Sequence, residues 1–117
     1  MVNITEDNLT IVAGCPPDTT VNTNVRLQGS VDYALKNTGD EDGYVSILVT
    51  LSDSAGNNTR FSQNLQAVPA SGSFSDSHVL YLNAAYMSAG QITVTMQIQI
   101  SGALTDTQSA DCTFNVT

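Results

Sequence analysis

NTGDEDGYVSILVTL, residues 37–51, holds a corner and a strand in one short stretch. Gly39 and Gly43 bracket three consecutive acids, Asp40, Glu41 and Asp42. Directly afterwards Val45, Ile47, Val49 and Leu51 fall on one parity, with Ser46, Leu48 and Thr50 on the other. Successive side chains of a strand point to opposite faces, so this alternation reads as a β-strand with one face buried. The glycine-bracketed acids read as the turn that starts it, because Asp, Asn and Gly each favour turn backbones.

The same period extends in both directions. In VRLQGSVDYAL (25–35), Val25, Leu27, Val31, Tyr33 and Leu35 alternate with polar residues. In QITVTMQIQIS (91–101), Ile92, Val94, Met96, Ile98 and Ile100 face one way and Thr and Gln the other. ADCTFNV (110–116) repeats the pattern with Ala110, Cys112, Phe114 and Val116. LTIVA (9–13), FSQNLQAV (61–68) and FSDSHVLYL (74–82) read as weaker strands, and only LNAAYMSAG (82–90) could hold a helical turn. Turn residues separate these runs at 37–39, 54–57, 69–72, 89–90 and 101–102. About seven short strands with turn signals between them predict an all-β, Ig-like antiparallel sandwich, with residues 1–117 as one domain.

Composition agrees with a sandwich wetted on its outer faces. Charged residues are only 12% of the chain, about half the usual ~25% share, and 12 Ser, 14 Thr, 10 Asn and 7 Gln take their place. The net charge of −8 comes from 11 acids against Arg26, Lys36 and Arg60. Such a surface repels phosphate backbones and anionic lipid, which argues against nucleic-acid and membrane-surface roles. No run approaches the roughly 20 apolar residues that cross a bilayer, and the start lacks a basic region followed by an apolar one. Met1 is therefore expected to open an excised or mature domain, with any signal, anchor or neighbouring domain lying elsewhere.

Cys15 and Cys112 lie near opposite ends of the chain. A disulfide between them implies an oxidising, extracellular or cell-surface location; the alternative is two buried free thiols. A pairing of first and last strands would make the bridge reasonable, although it is not the inter-sheet bridge of antibody domains, and the Trp of that core is missing too.

VDYALKNTGDEDGYVSILVTLSDSAGN, with its V.N.G…V.V.L.D..G run, resembles the bacterial and archaeal cell-adhesion-related (CARDB-type) Ig-like domains over about residues 25–58. SAGQITVT (88–95) is similar to a later strand entry of that family. The resemblance implies fold and surface location. Its motifs encode strand-turn-strand geometry and carry no catalytic residues.

Several residues are candidates for chemistry. Asp40, Glu41 and Asp42 offer hard oxygens of the kind calcium takes, six to eight at a time, but without the alternating acids of an EF-hand loop. Asp106 or Asp76 would have to help; Asp53 should lie at the far end of the strand. The alternative is a solvated turn. Asn3, Asn8, Asn57 and Asn115 each open an N-x-[ST] sequon, compatible with glycosylation and also with chance in so polar a chain. His78, the only histidine, shares parity with Phe74, Leu80 and Leu82 and reads as structural. A Ser-His-Asp triad lacks any nucleophile-elbow context, so no enzyme is expected. Tyr44 and Tyr81 lie off their strands' apolar parity, a thin basis for sugar binding, and Tyr86 is placed for a tyrosine corner.

These features favour a non-enzymatic extracellular structural or adhesion module, within a surface protein or as a filament subunit. The alternative is a calcium- or carbohydrate-binding sandwich. No cofactor is expected beyond calcium. The expected partners are other protein subunits or domains, including further copies met through strand edges. TVTMQIQIS (93–101) would be an adhesive template if it lay at an edge, and the N-terminal segment MVNITEDNLTIVA is read as flexible and exchangeable.

Overall fold

The fold is that of a computed structural model, which describes residues 1–15, 20–21, 26–83 and 89–116. Its strands are β1 (Ile4–Val12), β2 (Thr20–Val21), β3 (Arg26–Asn37), β4 (Gly43–Asp53), β5 (Asn58–Val68), β6 (Ser73–Asn83), β7 (Gly90–Gly102) and β8 (Asp106–Val116). They form a three-stranded sheet, β1-β3-β6, packed on a five-stranded sheet, β2-β8-β7-β4-β5. All pairings are antiparallel except the two-residue contact of β2 with β8. The architecture is the expected Ig-like sandwich: seven antiparallel strands, with β2 as a short addition.

The period-two residues make the core. Leu27, Val31, Tyr33 and Leu35 of β3 are buried against Val45, Ile47, Val49 and Leu51 of β4 and the apolar stripe Ile92–Ile100 of β7. Each fully buried aliphatic side chain is worth ~1.5–3 kcal/mol relative to exposure. Gly29 packs tightly on the facing sheet: an added Cβ would lie 2.8 Å from a Leu51 methyl and 3.0 Å from the Met96 sulfur. The body is long, 55 × 21 × 17 Å, with a radius of gyration of 16.5 Å. A compact domain of this length would have a radius nearer ~13 Å. The elongation follows from strands of eleven to thirteen residues at a rise of ~3.3 Å each.

Two expectations change, one conditional reading does not arise and one falls outside the described residues. The N-terminal segment is not a loose tail: β1 begins at Ile4 and pairs with β3 from Ile4 to Val12. Its polar stretch and a register shift between Glu6 and Asn8 hide the strand's period. β7 is not an edge; β4 and β8 hydrogen-bond it on both sides. The first and last strands are not paired either, because β1 and β8 belong to different sheets. Finally, Tyr86 and the core of the 82–90 segment lie outside the described residues.

Candidate functional site

Cys15 and Cys112 are disulfide-bonded, their Cα atoms 6.0 Å apart. The bridge crosses between sheets, from the segment after β1 to the inner face of β8. Gly14 directs the chain there: its φ is +80° and an added Cβ would sit 1.5 Å from the Gln28 carbonyl oxygen. Only glycine fits so close an approach in that conformation.

The acidic corner between β3 and β4 is organised by an amide. Asn37, at the end of β3, is 1% exposed. Its Nδ2 donates to the carbonyls of Glu41 (2.8 Å) and Val68 (3.0 Å). Its Oδ1 accepts from the backbone N–H groups of Asn3 (3.1 Å) and Gly39 (2.9 Å). Both donors and two acceptor positions of the amide are thus used. One side chain ties the start of β1, both arms of the corner and the end of β5. The Asn37 N–H also donates to the Gly72 carbonyl at 2.9 Å, which adds the β5–β6 turn.

The side chains of the three acids hang outside this frame. Asp42 Oδ1 accepts from the Ala70 N–H at 2.9 Å. The Asp40 and Glu41 side chains, 85% and 72% exposed, both face the Met1 ammonium. Asp53 does lie at the opposite end of β4, where it holds its own turn. Its Oδ1 accepts from the N–H groups of Ala55 and Asn57, both at 2.9 Å, and its Oδ2 from Asn57 Nδ2 at 3.0 Å. Neither proposed helper joins the corner: Asp76 is on β6 beside His78, and Asp106 is engaged with Glu6 and Gln108. Among the described residues, no group of three or more His, Cys, Asp or Glu side chains is arranged to hold a metal ion.

A carboxyl pair spans the seam between β1 and β8. A hydrogen bond with Asp106, then burial, then the Asp106 charge raise Glu6 to about 7, while the bond with Glu6 and another from Gln108 lower Asp106. A proton on Glu6 donated to the Asp106 carboxylate explains the opposite shifts. The sequence offered one signal for this pair, an acid at an inward position of a strand; β1 had to be seen as a strand before that signal could be read.

At the other seam the His78 ring stacks on Phe61 of β5, centroids 4.1 Å apart. His78 Nε2 lies 3.4 Å from Asp76 Oδ2, but the contact does not have hydrogen-bond geometry. Burial, and then the Asp76 charge, push the neighbouring Tyr33 phenol upward. Ser77 points to the other face of β6 and bonds to Asp32, so Asp76, His78 and Ser77 do not converge as a triad.

Tyr44 and Tyr81 are exposed as read, 52% and 41%, but on the outer faces of different sheets, where they cannot form one platform. A shallow groove of about 430 Å³ on the five-stranded sheet is lined by uncharged residues including Ser46, Leu48, Ser62, Gln99 and Thr107. Of the sequon asparagines, Asn3, Asn8 and Asn115 are exposed. Asn3 Nδ2 donates to Thr38 Oγ1 (2.6 Å), and the Asn57 amide is bound to Asp53. Thr117, which completes the last sequon, lies outside the described residues.

The fold defines an Ig-like β-sandwich domain. No family model matches the sequence, nor does any curated protein. Among solved structures, a β-glucuronidase of glycoside hydrolase family 2 is similar with a TM-score of 0.52 and 11% identity, over 94% of this chain and 11% of the enzyme. A β-glucosidase involved in saponin metabolism, from intestinal bacteria, is similar with a TM-score of 0.51 and 13% identity, over 97% of this chain and 16% of that one. The CARDB domain of a Pyrococcus furiosus protein, solved in complex with di-metal ions, is matched over 99% of this chain and 89% of its own, at 12% identity and a TM-score of 0.48. A CARDB domain thus stands among the structural matches of a chain whose residues 25–58 resemble that family. At these identities the likeness is one of fold.

Proposed function

We propose that this chain is a non-catalytic structural module of an extracellular or cell-surface assembly, making protein contacts through its strand edges and ends. The disulfide carries this reading. It joins residues 97 apart in sequence across the two sheets. Closing a loop of about that length is worth up to ~4.7 kcal/mol in chain-entropy terms, and such bridges persist in oxidising compartments. An elongated body with a hydroxyl- and amide-rich surface, sparing in charged residues, suits a spacer. Similar sandwiches forming 11% and 16% of two larger enzymes support a modular role. The exposed sequon asparagines fit passage through a glycosylating secretory route.

The test is thiol titration of the protein isolated from its natural source, unfolded under non-reducing conditions, together with its intact mass. No free thiol is the expected result, and glycan mass at Asn3, Asn8 or Asn115 would add to it. Two free thiols would contradict the extracellular reading. Turnover of a chromogenic ester, glycoside or peptide would contradict the non-catalytic one.

A further inference from the structure

Among the described residues, and apart from the two-residue β2, four strands have stretches of edge with no hydrogen-bonded neighbour: β1, β5, β6, and β8 beyond its contact with β2. Open edges invite pairing with other chains, and proteins blunt them with bulges, charges and kinks. Three of the four are blunted. β1 carries a register shift at Asp7, beside Glu6. β5 carries another, where Leu65 sits at φ 55° and 75% exposed. β8 carries Asp106 and Asp111 and is pinned by the disulfide.

β6 is different. It runs eleven residues in unbroken register with β3, from Ser73 opposite Lys36 to Asn83 opposite Arg26. It has no Pro, Gly or Lys, and Asp76 is its one acid. β6 is also complementary to itself. An antiparallel pairing with a two-fold axis at Ser77 sets Asp76 against His78 of the second copy, and His78 against that copy's Asp76. The same register sets Phe74 against Leu80 twice, also on the inner face. Within one chain Asp76 and His78 approach to 3.4 Å without hydrogen-bond geometry, Asp76 Oδ1 accepts from the Ser77 N–H at 2.8 Å, a bond that pairing exchanges for the cross-strand one, and among the described residues the buried His78 Nε2 has no hydrogen-bond partner. Opposite groups on paired strands stand ~4.5–5.5 Å apart at Cβ, within reach of a cross-strand bond.

We infer that β6 is a homophilic edge: two copies join β6 to β6 antiparallel about Ser77, making a continuous six-stranded sheet β1-β3-β6-β6-β3-β1. This rests on the assembly reading above and names the partner as a second copy of this chain. The reciprocal Asp76–His78 pairing selects that partner, because an unrelated strand would have to supply both groups in this spacing.

Ser77→Cys provides the test. Ser77 is exposed on the outer face, so the substitution leaves the core intact. On the axis, the two introduced thiols meet and mild oxidation yields a covalent dimer, with Cys15–Cys112 undisturbed by intact mass. Ser75→Cys is the control, since its two copies would be offset by ~13 Å along the strands. Expected alongside are concentration-dependent dimerisation of the unmodified protein by sedimentation, and a dissociation constant raised at least tenfold by Asp76→Lys. Cross-linking of Ser77→Cys but not Ser75→Cys supports the proposal. Neither or both cross-linking overturns it, as does a monomer at millimolar concentration. Assembly that ignores Asp76→Lys and Ser77→Cys overturns the β6 interface alone; the structural-module reading is decided separately, by the thiol titration.

Discussion

The two ends of β4 solve one problem in opposite ways. At the Asp53 end, the acid is the architect: its carboxylate accepts three hydrogen bonds and shapes the turn that leads into β5. At the Gly43 end, three acids crowd the corner, yet the neutral, buried Asn37 holds it, while Asp40 and Glu41 stand in solvent. Density of charge is therefore a poor guide to structural work in this molecule. A buried amide that satisfies four backbone groups does more than three exposed carboxylates, because leaving buried groups unpaired is costly and exposed ion pairs contribute little.

That contrast can be broken most forcefully at Asn37. Asn37→Ala leaves four backbone groups without their partner, and at ~1 kcal/mol each the loss is roughly 3–4 kcal/mol, measured by urea unfolding. Asn37→Asp keeps the acceptor oxygens but loses both donors and sets a buried carboxylate against the Glu41 and Val68 carbonyls, so it should cost at least as much as Asn37→Ala. The far end is expected to be milder. Asp53→Ala costs ~2 kcal/mol, since charge-assisted bonds are lost from a partly exposed turn, and Asp53→Asn costs less.

A third prediction concerns the Glu6–Asp106 carboxyl pair at the β1–β8 seam. Glu6 rises from 4.5 to about 7 in the folded protein, so the folded state binds more protons between those values. Stability should therefore fall as pH rises from about 4.5 to 7. The lowered Asp106 works in the opposite sense, its contribution being lost as pH drops below the ordinary carboxylate range. Glu6→Gln, a permanent donor, should flatten the slope between pH 4.5 and 7, and raise stability at pH 8 by ~1 kcal/mol or less given solvent screening. The smallest effect belongs to the acidic corner itself. Asp40→Asn, Glu41→Gln and Asp42→Asn together should change stability by less than ~0.5 kcal/mol.

Much of this architecture was legible, and the failures have physical reasons. β3, β4, β7 and β8 announced themselves because each buries one face, so their inward residues could be named from parity. The alternation of β1 shows only from Leu9 onward, because Glu6, Asp7 and Asn8 are polar and a register shift breaks the period there. β5 looked irregular for the same reason, with its shift near Leu65. The place of β7 was not legible, because strand order depends on long-range pairing that no local pattern encodes. Asn37 appeared only as a turn residue and one letter of a family motif, its role hidden because its partners are backbone groups 2 to 34 residues away. The acids were conspicuous in the sequence for the reason they matter least to the fold: they are exposed.

Thermal melting in excess calcium and in excess chelator tests most directly whether the corner is held by Asn37 or by a cation. With Asn37 in command, the two curves superimpose. A calcium ligand held at 100 times its Kd would add ~2.7 kcal/mol, so a clear calcium-dependent rise, abolished by neutralising Asp40, Glu41 and Asp42, would contradict the amide-held corner.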